Sequence, residues 1–113
     1  MDCIFCKIVK KETRADVVYE DENVLGFKSV EPEAPLHLLF VPRKHFEWKD
    51  DFTQKELNLL VKLIFAAKEV AAEKKTDQAC KLIFNVGKTG HIPHVHLHLL
   101  GGWEEGEIPM YNI

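Results

Sequence analysis

The chain has no apolar run near the roughly 20 residues that a membrane-spanning helix needs. It has only 3 cysteines among 113 residues, an odd count too small for a disulfide framework. It also lacks a basic excess: 15 Lys and Arg stand against 18 Asp and Glu, for a formal net charge of −3. Binding a nucleic-acid duplex by counterion release favours the opposite balance, so no duplex partner is expected. Glycine and proline number 6 and 5, with no linker, repeat or low-complexity stretch among them. The opening Met1-Asp2-Cys3-Ile4-Phe5-Cys6 has neither the basic nor the apolar region of a secretory signal. These absences predict a cytoplasmic protein with reduced thiols and no membrane attachment. They fit one domain over residues 1–113. Its core would be modest, so a metal or a partner subunit would add stability.

What is present reads as α+β. Ile4 to Lys10 suits a short helix. Val17–Tyr19 and Val24–Val30 flank the acidic turn Glu20-Asp21-Glu22-Asn23, the pattern of a hairpin. His37–Val41 is a third strand stopped by Pro42, and Lys81–Val86 and Val95–Leu100 complete a set of five. Thr53 with Glu56 makes a capping box that opens a long helix running to about Lys75. Leu57, Leu60, Val61, Ile64 and Ala71 fall on one stripe of that helix and are expected to face the sheet. Lys55, Lys62, Glu69 and Glu73 would then be wet.

Half of the chain's 6 histidines lie on or beside the last strand, in His94-Val95-His96-Leu97-His98-Leu99-Leu100. Strand side chains alternate, so Val95, Leu97 and Leu99 can pack on the helix. The three imidazoles would then line the opposite face about 7 Å apart. Such a row could chelate a metal. Alternatively, one neutral imidazole is a nucleophile and its neighbours handle charge and protons.

The string resembles the His-x-His-x-His-x-x signature of the histidine-triad (HIT) family, x being apolar. Three further segments resemble the family's Hint-like branch: Asp2-Cys3-Ile4-Phe5-Cys6-Lys7-Ile8, Ala34 through His45, and Phe84-Asn85-Val86-Gly87. The resemblance implies an antiparallel five-stranded sheet with one long and one short helix. It favours the nucleophile over the row of metal ligands. His96 would attack the α-phosphorus of a purine nucleotide conjugate, such as a phosphoramidate, to form a nucleotidyl-histidine that water hydrolyses. His98 would contact the phosphate oxygens, and Asn85 would donate to the phosphate. His37 would help orient His96. Phosphoryl transfer depends mainly on such positioned donors.

By the same resemblance, Phe5, Ile8, Phe27 and Val30 would hold the base and sugar. Ser29 stands where the family usually has an aspartate that binds the ribose. Before the signature, His91 and Ile92 stand where a glutamine and a hydroxyl residue are usual, in a shortened loop. Thr89 or Lys88 would have to replace that hydroxyl. Slower turnover is expected, since one aimed donor is worth roughly 100-fold.

Cys3-x-x-Cys6 is a two-thiolate half-site. The resemblance implies a zinc ion there, with His45 and His94 completing four ligands. Four protein ligands leave no open position, so that zinc would be structural, with no catalytic metal. It also implies a homodimer with a continuous sheet. The tail, Trp103 to Ile113, is unusually apolar for a free end and is read either as lying on the partner subunit or as a frayed terminus. A nucleotide-binding regulatory module with little turnover is the alternative, which Ser29 and the short loop keep open. A hydrolase using the histidine strand as catalytic metal ligands is a third reading, distinguished by chelator sensitivity.

Overall fold

The computed structural model describes residues 3–89 and 92–110. A short helix, α1 (Ile4–Val9), precedes strands β1 (Val17–Glu20), β2 (Val24–Lys28) and β3 (Leu36–Pro42). The long helix α2 (Gln54–Glu73) follows, then β4 (Lys81–Phe84) and β5 (Leu97–Gly101). The strands form one antiparallel sheet in the order β1-β2-β3-β5-β4. The expected α+β class and five-stranded sheet are therefore observed. None of the described helices is long and apolar enough to cross a membrane.

Local chemistry explains the elements. In the β1–β2 turn, the Asp21 carboxylate accepts from the backbone N–H groups of Asn23 and Val24 at 2.7 and 2.8 Å, which closes the turn. At the start of α2, Thr53 Oγ1 accepts from Glu56 N–H and Glu56 returns the bond to Thr53 N–H. Glu56 is buried, with Lys49 Nζ 3.0 Å from its second carboxylate oxygen.

The sheet carries a different core on each face. On one face α2 packs Leu59, Leu63, Ala66, Ala67 and Val70 against Leu38, Phe40, Val95, Leu97 and Leu99. On the other, α1 packs Phe5 and Ile8 against Leu25, Phe27, Leu39 and Val41. The small alanines let α2 sit close to the sheet.

Two expectations need correction. The stripe read as the inner face of α2 points mostly outward: Leu57, Val61 and Ile64 are exposed and Leu60 is half-buried, while only Ala71 is buried. The helix has two apolar stripes. The one containing Leu59 and Leu63 lies two residues, or about 200°, from the one containing Leu57 and Val61. Periodicity alone could not tell which meets the sheet, and the larger side chains misleadingly favoured the outer one. The second correction concerns β5, which begins at Leu97 rather than Val95. Val95 N–H donates to the Phe46 carbonyl, and His94 N–H to that of Ile92, so neither residue joins the ladder.

Candidate functional site

Alternation nevertheless persists through the extended approach to β5. Val95, Leu97 and Leu99 enter the α2 core. His94 and His96 instead contact the Phe5 ring of α1, with centroids 5.8 and 5.1 Å apart. The three histidines then divide between two clusters.

The first cluster contains Cys3, Cys6, His45 and His94, whose ligand atoms all lie within 4.8 Å of one another. Cys3 Sγ is 3.3 Å from His94 Nδ1, and Cys6 Sγ is 3.3 Å from His45 Nδ1. The two Nδ1 atoms are 3.1 Å apart. Ligand bonds of about 2.0–2.1 Å to nitrogen and 2.3 Å to sulfur give tetrahedral edges of roughly 3.3–3.8 Å, close to this spacing. His94 Nε2–H donates to the Pro42 carbonyl at 2.9 Å, which leaves Nδ1 as a lone pair facing the thiols. His45 Nε2 is buried without a hydrogen-bond partner among the described residues. Burial, the largest cause, pushes the Cys6 thiol above its ordinary pKa and His94 down to about 4. Two thiols and two imidazoles converging in this way are able to hold a metal ion, which would reverse the thiol shift. Cys3 also caps α1, its Sγ accepting from Cys6 N–H. The cluster therefore ties α1 to the loop after β3 and to the approach to β5.

The second cluster contains His37, Asn85, His96 and His98. His96 Nδ1–H donates to the His94 carbonyl at 2.8 Å, so its free lone pair is on Nε2. Burial lowers the His96 pKa, and the bond to His94 opposes that shift. The His96 and His98 rings lie 4.9 Å apart between centroids. His98 Nδ1 is 2.9 Å from His37 Nε2, and the Asn85 amide is 3.1 Å from His98 Nε2. His98 is lowered to about 4 by burial first, then by His96 and His37. The structure corrects one expectation here: His37 meets His98, whereas the ring of His96 is oriented by a backbone carbonyl.

A groove of about 860 Å³ opens onto this second cluster. Phe5, Ile8, Phe27, Ser29, Val30 and Thr89 all line it, as do His37, Asn85, His96 and His98. Phe5, Ile8 and Phe27 double as core, whereas Val30 is exposed at the rim. Ser29 Oγ accepts from Glu31 N–H, and Thr89 donates to the Val86 carbonyl within its own turn. Ile92 also lines the groove, while His91 lies outside the described residues. A smaller cavity of about 270 Å³ abuts His96 from another side, walled by Trp48, Phe84, Pro93 and Asn85. The sequence reading missed this cavity, and the Trp48–Phe84 ring contact at 5.6 Å had no signal in spacing.

Residues 2–108 match the family model described as scavenger mRNA decapping enzyme, C-terminal binding. The chain is 38% identical over 107 residues to a 14 kDa zinc-binding protein of Zea mays, covering 88% of this chain and 80% of the relative. It is also 42% identical over 105 residues to a HIT-like protein of Synechocystis sp., covering 89% of this chain and 90% of the relative. The chain belongs to the histidine-triad family. Solved structures of the family agree with the fold of this histidine-triad chain. A histidine triad protein from Clostridium difficile is 37% identical with a TM-score of 0.88, covering 99% of this chain and 97% of that one. A HIT family hydrolase from Legionella pneumophila Philadelphia 1 is 39% identical with a TM-score of 0.85, covering 91% and 95%. A hydrolase of this family is the activity that these relatives support in general terms.

Proposed function

We propose that this histidine-triad protein hydrolyses purine nucleoside 5′-phosphoramidates or related nucleotide conjugates at the α-phosphorus. The observation that carries the reading is His96. Its Nδ1–H is committed to the His94 carbonyl, its Nε2 has no hydrogen-bond partner among the described residues, and it lines a groove beside His98 and Asn85. In the proposed reaction, Nε2 of neutral His96 forms a bond to phosphorus as the bond to the leaving amine breaks. The amine departs with the electron pair and takes a proton from water. The imidazolium so formed keeps its Nδ1–H on the His94 carbonyl, whose negative oxygen end stabilises the new positive charge. Water then attacks phosphorus and gives its proton to the hydroxide left by the first step. The P–Nε2 bond breaks with its electron pair returning to nitrogen, which releases the nucleoside monophosphate and restores neutral His96. His98 and Asn85 stabilise the phosphoryl oxygens. Phe5, Ile8, Phe27 and Val30 hold base and sugar, with Ser29 and Thr89 as polar contacts.

The test is release of AMP from adenosine 5′-phosphoramidate. His96→Ala should lower the rate by at least about 1,000-fold, since the nucleophile is removed. Binding of AMP without turnover by the wild type would instead favour a regulatory module.

In this reading the Cys3, Cys6, His45 and His94 cluster holds zinc. The relative from Zea mays and another from Brassica juncea are both called 14 kDa zinc-binding protein. The ion would hold the α1 segment against the approach to β5, and no reaction step passes through it. The chain also acts as a homodimer in this proposal. The outward stripe of Leu57, Val61, Ile64 and Phe65 is an exposed apolar helix face, and β4, with Leu82 exposed, is an edge of the sheet. A second copy would cover both.

A further inference from the structure

The hydrogen bonds around His37 and His98 form one chain, and its starting donor is unambiguous. The backbone N–H of Glu33, in the loop between β2 and β3, donates to His37 Nδ1 at 3.0 Å. A backbone N–H can only donate, so Nδ1 of His37 carries no proton. The proton of neutral His37 is then on Nε2, which is 2.9 Å from His98 Nδ1. That nitrogen must accept, so His98 carries its own proton on Nε2. The next partner is the Asn85 amide, whose Nδ2 lies 3.1 Å away. Two N–H groups cannot face each other. A half-turn of the amide, which leaves its shape unchanged, brings Oδ1 into that place.

We infer that the backbone amide of Glu33 is a positioning group that sets His37 and His98 as neutral Nε2–H tautomers and turns Asn85 so that its Oδ1 faces His98. The inference rests on the proposed function only for its consequence: a phosphate oxygen that takes the place of Asn85 Oδ1 meets His98 as an uncharged donor. An imidazolium at either histidine would place N–H against N–H, so neither ring charges while the chain is intact. Burial acts in the same direction on both rings, opposed at His37 by the nearby Glu33 carboxylate. The Asn85 Nδ2–H group is left free for a ligand in the groove it lines. Each bond in the chain polarises the next, which makes the last donors stronger. A neutral imidazole serving as an electrophile, with its tautomer enforced by the backbone, is a known solution to stabilising developing negative charge.

The experiment is nitrogen-15 NMR of the histidine side chains in the full-length, metal-loaded protein at neutral pH without substrate. Both His37 and His98 should show a bare Nδ1 and a protonated Nε2. A protonated Nδ1 on either ring would overturn the inference. Two variants then test the donor itself. Glu33→Pro deletes the N–H, and His37 should lose its single-tautomer signature. Glu33→Ala removes the carboxylate but keeps the N–H, and the wild-type signature should persist. An unchanged signature in Glu33→Pro, or its loss in Glu33→Ala, would refute the role of the amide. If Glu33→Pro does not fold, the wild-type spectrum still decides. None of these readings depends on turnover, so failure of the proposed hydrolysis is recognised separately.

Discussion

His94 and His96 are two residues apart, yet they hold opposite tautomers for opposite ends. His94 gives its Nε2–H to the Pro42 carbonyl and turns a bare Nδ1 toward Cys3, Cys6 and His45. His96 gives its Nδ1–H to the His94 carbonyl and keeps a bare Nε2. In both, a backbone carbonyl decides which nitrogen is available. Because His94 supplies the carbonyl that orients His96, the metal-binding cluster and the proposed nucleophile share one short segment. One histidine serves cohesion and its neighbour serves chemistry, although the residue type and the Phe5 packing are common to both.

The contrast can be broken most sharply by removing one member from each cluster. His96→Ala should lower release of AMP by at least about 1,000-fold while moving the melting temperature little. Cys6→Ala should do the reverse below its melting point: most turnover retained, zinc lost by elemental analysis. Losing a structural metal costs several kcal/mol, and each kcal/mol moves a domain of this size by about 4–8 °C, so the melting temperature should fall by about 10 °C or more. If turnover and stability fall together in both variants, the two clusters are not separable. Next in size is His98→Ala, expected to slow turnover about 100-fold by deleting a single aimed donor.

Proton uptake sharpens the comparison further. His98 has its pKa lowered to about 4 in the folded protein from an ordinary 6.5. Below pH 6.5 the unfolded chain therefore binds this proton first. The stability involved is fully present above about 6.5 and is lost as pH falls through about 4. Denaturant titrations across this range should show the decline, and it should be shallower in His98→Ala. The smallest effect on either cluster is expected from Val61→Glu on the outer stripe of α2. It should shift the mass measured by light scattering from dimer to monomer while leaving zinc content unchanged.

Much of the fold was legible because its signals are local. Alternation placed Val95, Leu97 and Leu99 against the helix, the capping box located the start of α2, and the acidic turn marked the first hairpin. Cys3-x-x-Cys6 and the histidine string likewise announced chemistry. The inner face of α2 was not legible, because two apolar stripes compete and only packing chooses between them. The partner of His37 was also hidden, since the register of β3 on β5 pairs Leu39 with His98 and His37 with Leu100. That diagonal placement brings the two rings together, and no spacing within one strand encodes it.

The sequence alone determined which residues could be ligands, donors or nucleophiles, because residue type sets chemistry and short-range periodicity sets the face. Only the tertiary structure decided which nitrogen of each imidazole is free. That choice is made by the carbonyls of Pro42 and His94 and the amide of Glu33, backbone groups that every residue but proline carries in full and no motif can single out.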